Sequence, residues 1–199
     1  MNKDRIIQWI SAVFLMICLT GCYIPEDFNA GVSIDKKGNF AFTYSGNLTN
    51  VLALASEKEG KLGKKEEDEL YKEAEKLAEL PGFKKVKYLG KGRYEVTVDN
   101  KGKVGEDYHF ISKDIKIFSI QYFPDGRMEI SAFKPKKDEI AQIREIGGNM
   151  SGTLTVSLPK RLKMIEHNAT SAPKKPSSGG DYIWDINYFD IRPEILIEL

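Results

Sequence analysis

The sequence predicts an α+β domain, with a largely antiparallel sheet of hairpins and one or two helices packed on one face. Two observations favour this class. Several short segments alternate apolar with polar residues and are separated by turn-forming residues, which is typical of β-hairpins. One longer segment, Lys64–Leu80, instead spaces its apolar residues as a helix does. Strands therefore dominate the prediction, and the helices are few.

The first hairpin is predicted around Asp35–Asn39. Val32 and Ile34 precede this polar, glycine-containing stretch, and the apolar residues of 40–44 follow it with a period of two. Period-two segments that flank such a turn indicate two paired antiparallel strands.

One clear helix is predicted, together with two helix candidates, the segment before Ala55 and the segment from Lys136, for each of which strand or loop is the alternative. Thr49 is expected to cap a short helix through Ala55. The clearest helix covers Lys64–Leu80, where apolar residues recur at i, i+4, i+7 and i+8 before a Pro-Gly stop. Its acidic first turns suit the helix dipole, and we interpret them as solvated and not as a metal site. A further helix is predicted over Lys136–Ile146.

The remaining apolar segments are predicted to be strands. Hairpin turns are expected at Gly90–Gly92 and at Pro124–Gly126. Residues 170–181 are predicted to be a loop or hairpin tip, because they are rich in Ser, Pro, Gly and Lys. The predicted strands contain Val86–Tyr88, Tyr94–Val98, Ile115–Tyr122, Met128–Ala132, Leu154–Leu158, Ile183–Ile186 and Ile195–Ile197.

The N-terminal segment has the three zones of a secretory signal. Lys3 and Arg5 form the basic zone, Ile6–Leu19 is apolar, and Leu19–Cys22 resembles the lipobox of a bacterial lipoprotein. The apolar zone is shorter than the about 20 residues that a membrane-spanning helix needs. We therefore expect lipid on Cys22 and cleavage ahead of it. An uncleaved N-terminal anchor helix is the alternative.

Lipidation of Cys22 would divide the chain into three parts. Residues 1–21 would be the lipoprotein signal peptide, residues 22–28 a short lipid-linked tether, and residues 29–199 a single α+β domain. Such a tether reaches roughly 20 Å at ~3.5 Å per residue, so the domain would lie close to the lipid headgroups. The expected location is the cell membrane or the outer membrane, with the domain exported from the cytoplasm. Tyr23 after the cysteine favours the outer membrane where a host has one.

Composition excludes two classes of function. Cys18 would leave with the signal and Cys22 would carry lipid, so the domain would have no thiol for catalysis or for a disulfide. Removing Lys3, Asp4 and Arg5 leaves a net charge of zero. A nucleic-acid partner is not expected without a basic excess.

The sequence contains none of the usual catalytic motifs, such as a phosphate-binding loop, HExxH or Gly-x-Ser-x-Gly. Its two histidines, His109 and His167, are the candidates for acid-base chemistry. Glu166 is poorly placed to orient His167, since neighbours in a strand point to opposite faces. We expect His167 to hydrogen-bond into a turn. No catalytic residue, cofactor or metal is expected.

Aromatic residues offer a second possibility. Most are expected in the core, where aromatic side chains bury the largest areas. Some could line an apolar groove, which is the usual form of a small-molecule site. The aromatic residues in question are Phe40, Phe42, Tyr44, Phe118, Tyr122, Phe123, Tyr182, Trp184, Tyr188 and Phe189.

The basic loop Pro173–Pro176 is expected to be solvated.

Several of these signatures together resemble the LppM domain of bacterial lipoproteins. They are the hairpin soon after Cys22, the turn Phe123–Gly126, the strand Leu154–Pro159, the pair Asn168–Ala169, and Tyr182–Ile186. The resemblance covers most of residues 22–199. It implies an exported α/β domain of unestablished biochemical role, with no catalytic residues to carry over. Members of that family often have a C-terminal membrane helix, for which this sequence has no matching apolar stretch.

These observations predict a non-enzymatic, membrane-anchored envelope lipoprotein. The domain is expected to be a binding module for a lipid or another apolar ligand near the membrane. The alternative is a protein-interaction or scaffolding lipoprotein of the cell envelope. The expected partners are the membrane, through lipidated Cys22, and either an apolar ligand or an envelope protein. No set of residues in the sequence supports an enzymatic function.

Overall fold

A computed structural model describes residues 23–160, 162–175, 179–189 and 191–199. The predicted signal peptide, residues 1–21, and Cys22 lie outside these ranges, as do residues 176–178 of the predicted loop. Among the helices in the described ranges, none has both the length and the hydropathy needed to cross a bilayer.

The described residues form three helices and eleven strands, which confirms the α+β class. The helices are α1 (Val51–Lys58), α2 (Lys64–Ala78) and α3 (Lys137–Glu145). The strands are β1 (Tyr23–Ile34), β2 (Phe40–Asn50), β3 (Phe83–Gly90), β4 (Arg93–Gly102), β5 (Tyr108–Ile111), β6 (Lys116–Tyr122), β7 (Arg127–Ala132), β8 (Gly152–Leu158), β9 (Lys163–His167), β10 (Gly180–Ile186) and β11 (Glu194–Glu198).

The strands form two sheets, where the sequence predicted one. Sheet A has the order β10-β8-β1-β2-β4-β3, and sheet B has the order β5-β6-β7-β11-β9. Neighbouring strands are antiparallel except β1 and β8, which pair in parallel from Phe28 beside Gly152 to Ser33 beside Ser157. This parallel pair places β1 in the interior of sheet A, between β2 and β8.

The two sheets pack face to face through aromatic side chains. Phe28 of β1 meets Phe118 of β6 with ring centroids 5.5 Å apart, and Tyr44 of β2 meets Phe110 of β5 at 4.7 Å. All four side chains are buried. Alternation along the strands produces this layer, because every second residue of a strand points to the same face. Aromatic pairs at such distances add to the stabilisation from burial alone.

Helix α2 covers the part of sheet A that contains β3 and β4. Its residues Ala74 and Leu77 are buried, and the hydroxyl of Tyr94 in β4 donates to the carbonyl of Leu70 at 3.3 Å. The predicted apolar face of this helix is therefore confirmed at these positions. Ala78, predicted on the same face, is exposed because it ends the helix.

Two local predictions differ from the structure. Residues 23–28, expected in a short tether, lie in β1, because Tyr23 and Pro25 pair with Asn50 and Leu48 of β2. The cap of α1 is Asn50 and not Thr49. The Asn50 side chain accepts from the backbone N–H groups of residues 52 and 53 at 3.0 and 3.1 Å, whereas Thr49 donates its hydroxyl to Glu26.

Candidate functional site at the start of the first strand

Strand β1 begins at Tyr23, the residue that follows the predicted lipidation site. The backbone of Tyr23 pairs with Asn50 at the end of β2, and its side chain is buried with 8% of its surface exposed. The Tyr23 ring packs edge-on against Tyr94 of β4, with centroids 5.9 Å apart and planes at 76°. The domain is thus ordered from its first described residue.

A carboxylate from helix α2 holds this end of the sheet together. Glu73 accepts hydrogen bonds from the hydroxyl of Tyr23, from the hydroxyl of Tyr94 at 2.7 Å, and from the side-chain amide of Asn50 at 3.3 Å. Hydrogen bonds to an ionised acceptor are among the stronger ones in proteins. Three strands and one helix therefore meet at one half-buried carboxylate.

The environment stabilises the neutral form of both tyrosines. Burial, and secondly the hydrogen bond to Glu73, raise the pKa of Tyr23 and of Tyr94 well above the usual value. A phenolate beside a carboxylate in a poorly solvated place is unfavourable, so the hydroxyls remain donors. These groups are suited to a structural role. A phenol that acted as a base near neutral pH would need the opposite shift.

A second hydrogen bond between a tyrosine and a glutamate of α2 lies beside the Glu73 site. The hydroxyl of Tyr88 donates to Glu67 of α2, and the same carboxylate accepts from the backbone N–H of Lys91 at 3.1 Å. Burial, followed by the hydrogen bond to Glu67, raises the pKa of Tyr88 to about 12. The acidic start of α2 was interpreted as solvated, but Glu67 is half-buried and bound to the β3–β4 hairpin.

The hairpin between β3 and β4 also supports this end of the domain. Gly92 has φ +72°, and a Cβ added there would lie 2.3 Å from the Cβ of Ala53 in α1. Glycine is thus needed both for the left-handed backbone and for the close approach of the helix. Lys91 and Arg93 reach Glu57 of α1, with N–O distances of 2.6 and 3.5 Å.

The two histidines lie in separate structural settings. His109 Nδ1 is 3.1 Å from the Ser119 hydroxyl across the β5–β6 ladder, and burial, together with nearby Lys116, lowers the pKa of His109. A serine beside a neutral histidine has two members of a nucleophilic triad. The third, a carboxylate hydrogen-bonded to the second imidazole nitrogen, is not among the described contacts of His109, and Ser119 is buried.

His167 does hydrogen-bond into a turn, as predicted. Its Nδ1 accepts from the backbone N–H of Ala169 at 3.1 Å, and its ring meets Tyr182 edge-on at 4.9 Å. Within the described part of the chain, no cluster of three or more His, Cys, Asp or Glu side chains is placed to hold a metal ion.

Most of the predicted aromatic residues lie in the core. Seven of the ten are buried, and Tyr122 is half-buried with its hydroxyl donating to the Gly38 carbonyl at 2.7 Å. Phe123 and Tyr188 are exposed. Because the buried rings pack against each other between the sheets, they do not favour an internal ligand site. A surface depression of about 270 Å³ beside the first hairpin is lined by four polar residues, Ser33, Asp35, Asn39 and Lys101, and by four non-polar ones, Ile34, Phe40, Ala41 and Gly102.

Asn168 has a structural role that the sequence did not reveal. It accepts from the Trp184 indole at 2.7 Å and from the backbone N–H of Glu194 at 3.0 Å, and it donates to the Arg192 carbonyl at 2.6 Å. These bonds join β10 of sheet A to the start of β11 in sheet B.

The residues around Glu73 were not singled out from the sequence. Tyr23, Asn50, Glu73 and Tyr94 are far apart in the chain and belong to four different elements. Only the tertiary structure brings them together, and no spacing rule signals it.

The comparisons with known proteins do not assign this chain to a family. No family model matches the chain, and no curated protein matches it. The resemblance to the LppM domain therefore remains a prediction that depends on the residues quoted for it.

Proposed function

We propose that this chain is a lipid-anchored lipoprotein of the bacterial envelope, and that its α+β domain is a non-enzymatic binding module for lipid at the membrane surface. The observation that carries the proposal is the position of β1. The strand begins at Tyr23, directly after the cysteine of the lipobox-like tetrapeptide. A lipid on Cys22 would thus be attached to the folded domain itself, without a spacer.

The energetics of such an anchor favour permanent attachment. Each buried methylene contributes ~0.8 kcal/mol, and one acyl chain alone gives only marginal binding. A lipoprotein cysteine carries at least two chains, so the protein would remain on its membrane. Cys22 is the residue before Tyr23, and consecutive Cα atoms are about 3.8 Å apart. The acylated residue would therefore be held directly beside the folded strand. The edge of the domain around Tyr23 would then contact the headgroups.

The chemistry of the described residues supports a binding role in preference to an enzymatic one. The tyrosines near Glu73 are held protonated by burial and hydrogen bonding. The His167 side chain accepts a hydrogen bond in a turn, and Ser119, whose hydroxyl lies beside His109, is buried. The buried aromatic rings pack on each other, so we place the lipid contact on the surface and not inside the domain.

A protein-interaction role is the second candidate, and one observation favours it. Val104 and Leu199 lie next to Gly38 at the tip of the first hairpin and are 50% and 39% exposed. Leu199 donates its backbone N–H to Gly126, in the turn that also contains the exposed Phe123. These apolar side chains lie at the end of β1 that points away from Tyr23, where an anchored domain would meet other envelope proteins.

The acylation itself is tested with two cysteine variants of the full chain. In bacterial cells fed an alkynyl fatty acid, we expect the wild type and Cys18→Ser to incorporate label and to fractionate with membranes. Cys22→Ser should lose both properties, because the thioether cannot form. Intact mass of the purified wild type should show a diacylglyceryl adduct and no residues 1–21. A free thiol at Cys22, or label retained by Cys22→Ser, would contradict the proposal.

A further inference from the structure

Helix α1 starts beside the predicted anchor. Its cap, Asn50, is the ladder partner of Tyr23, and antiparallel partners have Cα atoms about 4.5–5.5 Å apart. Cys22 is the residue before Tyr23 in the chain, and consecutive Cα atoms are about 3.8 Å apart. A lipid on Cys22 would therefore be attached within about 10 Å of the start of α1.

One side of α1 packs on the domain. Successive residues of an α-helix are rotated by about 100°, since one turn takes 3.6 residues. Ala53, Leu54 and Glu57 share a side by this rule. Ala53 and Leu54 are buried, and Glu57 forms its ion pairs with the β3–β4 hairpin from the same side.

The other side of α1 is apolar and uncharged. The same rotation places Leu52, Ala55 and Ser56 opposite the buried residues, and each of the three is half-buried, with part of its surface accessible. Val51, at the start of the helix, packs against the core. In a chain in which 30% of the residues are charged, a solvent-facing helix side with no charge is unusual. Exposed helix faces normally carry the charged and polar residues.

A basic segment follows this apolar side. Lys58, Lys61, Lys64 and Lys65 are all exposed, and Glu59 is the one acidic residue between the first and the last of them. The segment thus has a local charge of +3 in a chain whose net charge is +1. Glu59 pairs with Lys61, and Lys58 donates to the backbone carbonyl of Glu145. Lysines close to a membrane surface are attracted by anionic headgroups.

We propose that α1 is an interfacial helix that lies in the headgroup layer of the bilayer holding Cys22. Leu52 and Ala55 face the acyl chains, and the lysines of residues 58–65 contact anionic headgroups. This inference rests on the lipidation of Cys22 proposed above. It names the lipid-binding surface of the domain, and it commits to a membrane as the occupant of the exposed side of α1.

The test uses single thiols in the otherwise intact lipoprotein. Acylation occupies Cys22 and cleavage removes Cys18, so one introduced cysteine can be labelled selectively. Ser56→Cys places an environment-sensitive fluorophore on α1 by a nearly isosteric change. Ser33→Cys is the matched control, because Ser33 is exposed and lies about 33 Å along β1 from Tyr23 at ~3.3 Å per residue. Ala55→Cys gives a second position on the same side of the helix.

The labelled proteins are reconstituted in phosphatidylethanolamine vesicles with about 30% phosphatidylglycerol, with and without brominated acyl chains. We expect brominated lipid to quench the label at position 56 at least threefold more than the label at position 33. Replacing the four lysines by glutamine should reduce this quenching to the level found in vesicles without anionic lipid. Equal quenching at positions 56 and 33 would overturn the inference.

Intact mass of the same preparations separates the two proposals. A diacylated protein whose label at position 56 is not quenched overturns the interfacial helix and leaves the lipoprotein proposal standing. A protein without the diacylglyceryl adduct overturns the lipoprotein proposal, and with it the premise of this inference.

Discussion

The two ends of β1 are secured in different ways. At the Tyr23 end, the acceptor is Glu73 of α2, fifty residues away in the chain. At the far end, Asp35 accepts from the backbone N–H groups of Lys37 and Asn39 at 2.7 and 3.0 Å, all within one turn. The first end therefore depends on tertiary structure, whereas the second is closed by a local turn that a short peptide could form.

The pKa shifts at the two ends have opposite consequences. The pKa values of Tyr23 and Tyr94 are raised, so their contribution to stability is full below about pH 10 and is lost as the pH rises through the folded-state values. The pKa of Asp35 is lowered, mainly by its hydrogen bond with Asn39, so its contribution is lost in acid. Alkali should therefore loosen the Tyr23 end of β1, and acid should loosen the hairpin tip at Asp35.

The largest effect is expected from Glu73→Ala. The Tyr23 hydroxyl and the Asn50 amide lose this acceptor, and the Tyr94 hydroxyl keeps only its longer contact with the Leu70 carbonyl. An unsatisfied buried donor costs roughly 1–3 kcal/mol. Because the site is half-buried and water can replace part of the loss, we expect the free energy of unfolding to fall by about 3 kcal/mol. Urea titration followed by circular dichroism measures it. Glu73→Gln, which keeps one acceptor oxygen, should lose about half as much. Equal stability of Glu73→Ala and the wild type would show that the three hydrogen bonds are not needed.

A smaller effect is expected from Gly92→Ala. The new Cβ would approach the Ala53 Cβ to 2.3 Å at a backbone position with φ +72°. Overpacking costs typically 1–3 kcal/mol, so we expect a loss of about 2 kcal/mol in the same titration. The double variant Gly92→Ala with Ala53→Gly removes the clash and should recover part of the loss. No recovery in the double variant would assign the whole effect to the left-handed backbone.

The smallest effect is expected at the far end, from Asp35→Ala. At pH 7 the variant should melt below the wild type, because the carboxylate no longer accepts from the turn. The ionised form stabilises the fold, so this difference in melting temperature should shrink as the pH falls below the ordinary aspartate value of about 3.9. Asp35→Asn, which cannot ionise, is the control and should show no such dependence. A difference that persists unchanged at pH 2 would contradict the role of the charge.

Local patterns were sufficient to predict most individual elements. The alternation on either side of Asp35–Asn39 predicted the β1–β2 hairpin, and the spacing of Leu70, Ala74 and Leu77 predicted α2. In each case the residues that determine the element are close in the chain. Their periodicity is enough to indicate which face is buried.

Three features could not be predicted, because they depend on contacts between distant residues. The parallel pairing of β1 with β8 has no hairpin signal. The division into two sheets depends on which strand faces meet, and alternation alone does not specify this. The start of β1 was mistaken for a tether because its stabilising partner, Glu73, lies fifty residues away in the chain and was not singled out from the sequence.

The parallel pairing also determines when the domain can be finished. Synthesis runs from the N-terminus, so β1 and β2 are available long before Gly152–Leu158 is made and can pair with the other side of β1. Until then, one row of β1 amides and carbonyls stays open, and open strand edges recruit other chains. A translation product that stopped before Gly152 would keep that edge unpaired. Completion of the late strands therefore removes an edge at which a second chain can add a strand.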